Sequence, residues 1–582
     1  MAIRLKTIYI SIIIIISYNY NACGQVYPRD HSKINYTQVM FEYPEIKKAL
    51  YYIVQIAINS EPKLFEKNIV IEQVDSTTAT LINGLKFGTS YQWRYIAFNK
   101  EGNIINISDR YFFNILKNNL VDENYNSYRI NTKIVDDGLI FLDISRVAIN
   151  RSGEPVWFLP NKSKEIWDIK MTKSGTITFL SKVYDGSFFD DGIEVSINGE
   201  TIWKTPHSGI VSGDSIEHFH HDFKKLNNGN YMIIGNKFVK PKNKLNVDFI
   251  AFGTIIEYDS NHNVVWSWDS QNAFSDTDIY YPTTICDNFY SNVYNYTIYD
   301  PAHINAFYLD EKEDMLYVSA RFMSRIIKIE KKTGKIVANF GEKWSSGEAK
   351  YANDFFYYQH SSILLPDGNI AVFNNNNVSD TGVFISSVVV FSQPNAKSNI
   401  SEKIWEFSCD FDSLYAANSL RFGNIIYMNN SNFLVNMGRP VSRIFEVTQD
   451  KKIVWDCYAE KYSNEKNQWV NSNCYRASYT KSLYPIYFTL NNSIEQNKNL
   501  FKKNKHVSFK INNEGSEPDK YTIKYNLDKS CKITSSDEVL PNKSININIE
   551  LQKENIKNNQ VTITVSSFAN PEFKKEIKFY VE

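Results

Sequence analysis

Nine histidines occur in the 582 residues, and five of them fall in three short segments rich in groups that bind, attack or move protons. His218, His220 and His221 lie in Glu217-His-Phe-His-His-Asp-Phe223, His303 in Asp300-Pro-Ala-His-Ile-Asn305, and His360 in Tyr358-Gln-His-Ser-Ser362. Three readings fit these residue types. In the first the rings are filler in a core or on a surface. In the second they bind metal, because His-X-His-His-Asp offers ligands suited to zinc, copper or iron. A regular strand, however, places His218 and His220 on one face and His221 on the other, so the three do not meet at one ion. The third is covalent catalysis, in which one neutral imidazole attacks while its neighbours and an arginine stabilise charge.

The elements that must position these rings are repeats. One phrase, a polar turn leading into a short strand that ends in Trp, recurs as Gly153-Glu-Pro-Val-Trp157, Gly199-Glu-Thr-Ile-Trp203, His262-Asn-Val-Val-Trp266, Gly334-Lys-Ile-Val-Ala338, Glu402-Lys-Ile-Trp405 and Lys451-Lys-Ile-Val-Trp455. A second phrase alternates with it, a turn followed by an alternating apolar strand, as in Lys173-Ser-Gly-Thr-Ile-Thr-Phe179 and Pro366-Asp-Gly-Asn-Ile-Ala-Val372. Asn-Gly and Asp-Gly favour tight hairpins, so each unit reads as a small antiparallel sheet. Such a sheet cannot bury both its faces alone, and stacking six of them radially gives a six-bladed β-propeller. An array of β-sandwiches is the competing arrangement. Each histidine segment precedes its copy of the turn-strand phrase by a similar interval, which predicts rings at equivalent heights around a central axis.

The bulk properties agree with an all-β protein. Aromatic residues reach 15%, with 38 Tyr and 37 Phe against 23 Gly, a composition that favours strands and turns. Sixty-four basic residues balance sixty-four acidic ones without a dense Lys/Arg stripe, which argues against nucleic acid as a partner. Residues 1–24 read as an export signal, with Arg4 and Lys6 ahead of an apolar run from Ile8 to Ile16, so the protein is expected in the periplasm or at the cell surface. Cys23, after Ala22, stands where a bacterial lipoprotein carries its lipid, although Tyr20 occupies a position usually held by Leu; a membrane tether through Cys23 and an unlipidated chain are both open. Residues 25–118 read as a fibronectin- or Ig-like β-sandwich, 119–488 as the propeller and 489–582 as a second sandwich. Of the other cysteines, Cys457 and Cys474 form the first pair to examine for a disulfide, with unpaired buried thiols as the alternative. No CxxC spacing and no GxxxxGK[ST] occurs, so neither a zinc ribbon nor a nucleotide cofactor is indicated.

All three histidine segments resemble those of the bacterial arylsulfotransferases that use no nucleotide sulfate donor. The resemblance rests on His221-Asp222 before Leu226-Asn-Asn-Gly-Asn230, on His303-Ile-Asn305 followed by Ser319-Ala-Arg321 and Lys328-Ile329, and on Gln359-His360 ahead of Asp367-Gly-Asn369. It is strongest between about 216 and 375, and Tyr475-Arg476-Ala477 is similar to the family's closing segment. The resemblance implies an aryl-sulfate sulfotransferase without cofactor or metal, moving a sulfuryl group to a phenol through a sulfohistidine. His360 is then the nucleophile, and His221, His303 and Arg321 bind the sulfuryl oxygens or stabilise the phenolate. His221 also assists proton transfer, and His220, Asn305, Gln359 and Tyr358 contact the substrate. Arg325 reads as a surface salt bridge, and Arg476 receives no chemical role. The implied partners are small aryl sulfates and phenols, with a homodimer left open. A metal-dependent propeller lyase or hydrolase and a non-catalytic surface-binding propeller remain alternatives.

Overall fold

The computed structural model describes residues 26–580 apart from 60–61, 119–125, 131–136, 161–164, 183–189, 215, 243–246, 275–277, 279–290, 294–295, 342–350, 377–384, 396–397, 412–417, 441, 464, 492–503, 528–529 and 553–559. The export signal, Cys23 and Cys286 lie outside the described residues. Strands dominate throughout, in keeping with the all-β expectation. Among the described residues no helix is long and apolar enough to cross a membrane.

Among the described residues, six sheets of meander type occupy the middle of the chain, in the order of the six repeats. The first has Leu139–Leu142, Val147–Asn150 and Pro155–Phe158, and its inner edge is completed from far along the chain by Ala477–Thr480. The second runs from Ile166–Met171 to Thr201–Lys204, the third from His218–Lys225 to Val264–Asp269, and the fourth from Ile304–Asp310 to Lys335–Gly341. The fifth runs from His360–Leu364 to Lys403–Ser408, and the sixth from Asn424–Tyr427 to Ile453–Ser463. Each inner strand packs on the next, and the sixth meets Ala477–Thr480 of the first, so the inner strands form a closed, propeller-like cycle.

The Trp phrases explain how neighbouring sheets are joined. At the end of the outer strand of one sheet, the indole N–H reaches a backbone carbonyl of the next: Trp157 donates to Ile197 at 2.7 Å, Trp266 to Lys331 at 2.8 Å and Trp405 to Gln449 at 2.8 Å. Trp455 of the sixth sheet donates to the Arg151 carbonyl of the first at 2.8 Å, which closes the ring with the same bond. Trp203 instead stacks on Tyr231 of the following sheet, with centroids 3.8 Å apart. A buried Glu on the third strand meets a cation of the next sheet in the same rotational sense, as in Glu194 with Lys225 (2.7 Å), Glu257 with Lys331 (2.8 Å) and Glu446 with Arg151 (2.8 Å).

Sheets at both ends of the chain flank this cycle. Tyr51–Ile58, Ser90–Phe98 and Tyr111–Ile115 belong to one N-terminal sheet and Val39–Glu42 pairs with Ala79–Ile82 in another, with Phe41, Trp93 and Phe113 in edge contact between them. Their core is continuous with Phe141, Trp157 and Ile177 of the first two repeat sheets. Two C-terminal sheets enclose Phe509, Ile511, Ile563 and Val565. Cys457 and Cys474 are separate buried thiols within one apolar cluster, the unpaired one of the two arrangements left open by the sequence.

Candidate active site

The inner strands are irregular where the chemistry-bearing residues sit. Register slips between Trp167 and Lys170, His220 and Phe223, Ile304 and Ala306, and His360 and Ser362, in four successive sheets. Asp168, His221, His303 and Ser361 have φ of 55°, 65°, 47° and 56°. Side chains other than Gly enter this left-handed region at a cost, and bulges that carry such residues re-aim them. The strict alternation expected of His218, His220 and His221 therefore fails at His221. The His220 and His221 rings meet with centroids 4.6 Å apart and share a bond between their Nδ1 atoms. His218 turns elsewhere, against Phe238 (4.6 Å) and Asp214 (3.4 Å).

His360 is 3% exposed and its Nδ1 lies 2.7 Å from Asn375 Oδ1. The Asn375 amide nitrogen donates to the carbonyls of Ser419 (2.5 Å) and Phe422 (3.0 Å), which fixes which end of the carboxamide faces the ring. Oδ1 can only accept, so Nδ1 of His360 carries the proton and Nε2 keeps the lone pair. Burial, followed by the Arg321 charge, pushes the His360 pKa well below its ordinary value despite the Asn375 bond, and the ring is neutral near pH 7.

His221 and His303 stand edge to face, 4.9 Å between centroids. Burial and then the neighbouring His220 and His303 rings hold His221 well below the usual imidazole range, and burial together with His303 lowers His220 to about 4. His303 is oriented by Asp300, whose carboxylate takes both its backbone N–H and its Nδ1 at 2.7 Å. Burial drives the Asp300 carboxyl upward, but the His303 ring and its N–H groups outweigh this and leave it lowered. The Arg321 guanidinium lies over Phe322 (5.0 Å) and Tyr358 (5.4 Å), and its charge is felt at His360. The structure thus brings His221, His303, Arg321 and His360 together.

Arg476, which the sequence reading left without a role, lies at the centre of a buried charge network. Its guanidinium contacts Asp168 (3.2 Å), Asp222 (2.9 Å) and the Asn305 carbonyl (2.7 Å), joining the closing segment to three sheets. Lys170 reaches the same two carboxylates at 2.7 and 3.2 Å. Asp143 accepts the backbone N–H of Tyr475, Arg476 and Asp168, and burial still raises it to about 6. Burial alone would raise Asp222 too, but Arg476 and Lys170 overcome it and hold it strongly ionised. Long-range pairing of this kind leaves no local sequence signal. Asn375 is a different omission, since it stands in the run Asn374–Asn377 just beyond the His360 hairpin.

Several residues expected at the substrate serve the scaffold. Gln359 is fully buried and its amide donates to Ser319 Oγ and to the carbonyls of Ala320 and Arg325, tying the fifth sheet to the fourth. Asn305 is fully buried and donates to the Gln359 carbonyl at 2.9 Å. Tyr358 is packed beneath Arg321 with its backbone N–H on Ser324 Oγ. Arg325 is no surface residue: it is 2% exposed and paired with Asp278 at 2.9 Å.

Tyr475 stands beside His221, with Phe422 and Trp167 around it. Tyr475 lies 6.0 Å from His221, 5.1 Å from Phe422 and 5.8 Å from Trp167, all in edge-to-face contact, and the latter two rings are half-buried. Among the described residues, no group of three or more His, Cys, Asp or Glu side chains is spaced to hold a metal ion.

Comparison with known proteins places this geometry in a family. The chain is similar over 60% of its length to the whole of a Bacteroides caccae protein of unknown function, at 12% identity and a TM-score of 0.36. It is similar over 83% of its length to 60% of the extracellular domain assigned to a hybrid two-component system of B. thetaiotaomicron, at 9% identity and a TM-score of 0.31. PorZ, a surface component of the type-IX secretion system of Porphyromonas gingivalis, matches 85% of the chain over 80% of its own, at 8% identity and a TM-score of 0.25. None of these distant likenesses bears on function. No curated protein matches the chain. The family model described as arylsulfotransferase (ASST) matches residues 127–468, more than half of the chain and the stretch that holds His221, His303, Arg321 and His360; the protein belongs to the arylsulfotransferase family.

Proposed function

We propose that this protein moves a sulfuryl group from an aryl sulfate to a phenol through a covalent adduct on His360. The observation that carries the reading is the pairing of His360 Nδ1 with Asn375, which leaves Nε2 as an in-line nucleophile at neutral pH. In the donor step Nε2 bonds to sulfur, the sulfur–oxygen bond to the aryl group breaks, and the aryl oxygen departs with the electron pair as a phenolate. In the acceptor step the oxygen of a second phenol bonds to sulfur, its O–H proton passes to Nε2 of His221, the Nε2–sulfur bond breaks, and neutral His360 is restored. Sulfuryl transfer needs stabilisation of charge on spectator and leaving oxygens more than a strong base, and Arg321, His303 and His221 supply it.

The aryl ring fits beside Trp167, Phe422 and Tyr475, where rings already pack edge to face. The six sheets act as the blades of a six-bladed propeller, residues 119–488, with a β-sandwich at each end as its architectural flank. Export to the periplasm or cell surface, with or without a lipid on Cys23, follows from the N-terminal segment.

The test is incubation of the signal-free protein with 4-nitrophenyl sulfate, with and without an acceptor phenol, for the wild type and His360→Ala. A sulfuryl-mass adduct and acceptor-dependent phenol release that both vanish in the variant are the expected result. A wild-type protein that neither gains mass nor releases nitrophenol overturns the reading for this substrate class.

A further inference from the structure

We propose that His220 and His221 act as one proton carrier, in which His221 exchanges a proton with the phenolic oxygen and His220 acts through His221 without touching substrate. The inference rests on the sulfuryl-transfer reading above and replaces the expected role of His220 as a substrate contact.

Two imidazoles joined Nδ1 to Nδ1 obey a simple rule: one nitrogen donates and the other accepts. With Nδ1 engaged, His221 can address the reacting atoms only through Nε2. If His221 donates, its Nε2 holds a lone pair and is a base; if His221 accepts, its Nε2 carries the proton and is an acid. Moving one proton along the nitrogen–nitrogen contact therefore switches the character of the nitrogen that faces the substrate. A double-displacement reaction needs that switch, because the departing phenolate requires an acid and the entering phenol a base.

In the form that meets an incoming phenol, Nδ1 of His220 accepts, Nε2 of His220 carries its proton, and His221 donates and is the base. The charged and titratable groups around the pair include His303 and Asp300 beside His220, and His303, His360, Tyr475 and Arg476 beside His221. Burial and the cationic neighbours make an added proton weakly held, which suits a carrier that must surrender it. Asp300, kept ionised by His303, is the nearby countercharge.

The protons balance over a cycle. When the acceptor phenol attacks sulfur, its O–H proton passes to Nε2 of His221, the Nδ1 proton of His221 passes to Nδ1 of His220, and the pair gains one proton overall. When the next donor is cleaved, the departing phenolate takes the Nε2 proton of His221, and the shared proton returns from His220 to His221. Neither step requires a proton from bulk water.

His220→Gln and His220→Asn keep an amide oxygen that can accept from His221 but cannot take a proton. The adduct is formed in each protein with 4-nitrophenyl sulfate and verified by intact mass, and its transfer is timed with two acceptors, phenol itself and pentafluorophenol, which is already ionised near neutral pH. In at least one variant the rate with un-ionised phenol is expected to fall by about 100-fold relative to wild type, with a much smaller loss for the ionised acceptor. Equal losses for both acceptors, or no loss with phenol, overturn the relay, because a ring that only props up His221 has no reason to respond to the acceptor's proton. A wild type that forms no adduct overturns the parent reading and this one together, and is distinguished by the mass spectrum before any acceptor is added.

Discussion

Asn375 holds His360 through an amide whose orientation is set by two carbonyls 44 and 47 residues further along the chain, at Ser419 and Phe422. The His360 tautomer is therefore determined by the segment that leads into the sixth sheet and not by the strand that carries His360. Asn375→Leu removes the acceptor and is expected to slow adduct formation by roughly 10- to 100-fold, as loss of a histidine's orienting partner does elsewhere. Stopped-flow release of nitrophenol measures it, and an unchanged burst rate would count against this assignment.

The pH profile of adduct formation should reveal a depressed imidazole. Because the His360 pKa is lowered by burial and by Arg321, the neutral, reactive form persists as pH falls through the ordinary value of about 6.5. Single-turnover rates are expected to stay flat there and to decline only at more acid pH. In Arg321→Gln the acid limb should move up toward the ordinary value, whatever happens to the absolute rate; a limb that stays put contradicts the electrostatic account.

Removing the charge of Arg476 strands two buried carboxylates. Arg476→Met leaves Asp168 and Asp222 with Lys170 as their one remaining cation among the described residues, beside the backbone N–H of Phe223 and Phe307, and should cost about 3–5 kcal/mol, the penalty typical of breaking a buried pair from one side. Arg476→Lys should recover part of it. Urea unfolding of the three proteins provides the comparison, and equal midpoints for wild type and Arg476→Met would refute the network's importance.

The tryptophan contacts should differ in worth along the ring. Trp455→Phe leaves the buried Arg151 carbonyl without its donor and replaces the indole beneath the Arg151 guanidinium, 4.9 Å away, with a smaller ring, for an expected loss of about 1–3 kcal/mol. Trp405→Phe loses a similar bond at an exposed site and is expected to cost less than about 1 kcal/mol. Denaturant midpoints at constant slope decide the ranking.

Thiol labelling tests the unpaired state of the three buried cysteines. Burial raises Cys409 to about 12 and pushes Cys457 and Cys474 upward as well, so none of the three should react in the native protein. All three should label once the chain is unfolded without reductant. A pair that stays unlabelled until reduction would restore the disulfide.

The sequence made the repeats readable because hairpin turns and terminal tryptophans are local signals, and it placed His221, His303 and His360 on successive inner strands for the same reason. Two kinds of information were not local. Bulges break alternation, so the face of His221 could not be inferred from its distance to His220, whereas His218 and His220 kept a regular spacing. Pairings across the ring were equally hidden: nothing near Gln359 in the chain announces that its amide is committed to Ala320 and Arg325, and nothing near Asp143 points to Arg476. The Trp phrase was visible as a repeat, but its purpose became clear only from the carbonyl each indole reaches.

The strand Ala477–Thr480, which completes the first sheet, gives the molecule a direction in time as well as in space. A ribosome delivers Asp143, Asp168 and Asp222 hundreds of residues before Arg476, and a growing chain holds an open arc of acidic groups with Lys170 but without Arg476. Closure is late, long-range and dependent on one short stretch of chain. A product cut short before that stretch lacks its seam, Arg476 and Tyr475 beside His221 at one stroke, so the ring of sheets and the candidate site are completed only after the chain has passed Thr480, while the C-terminal sheets are still to come.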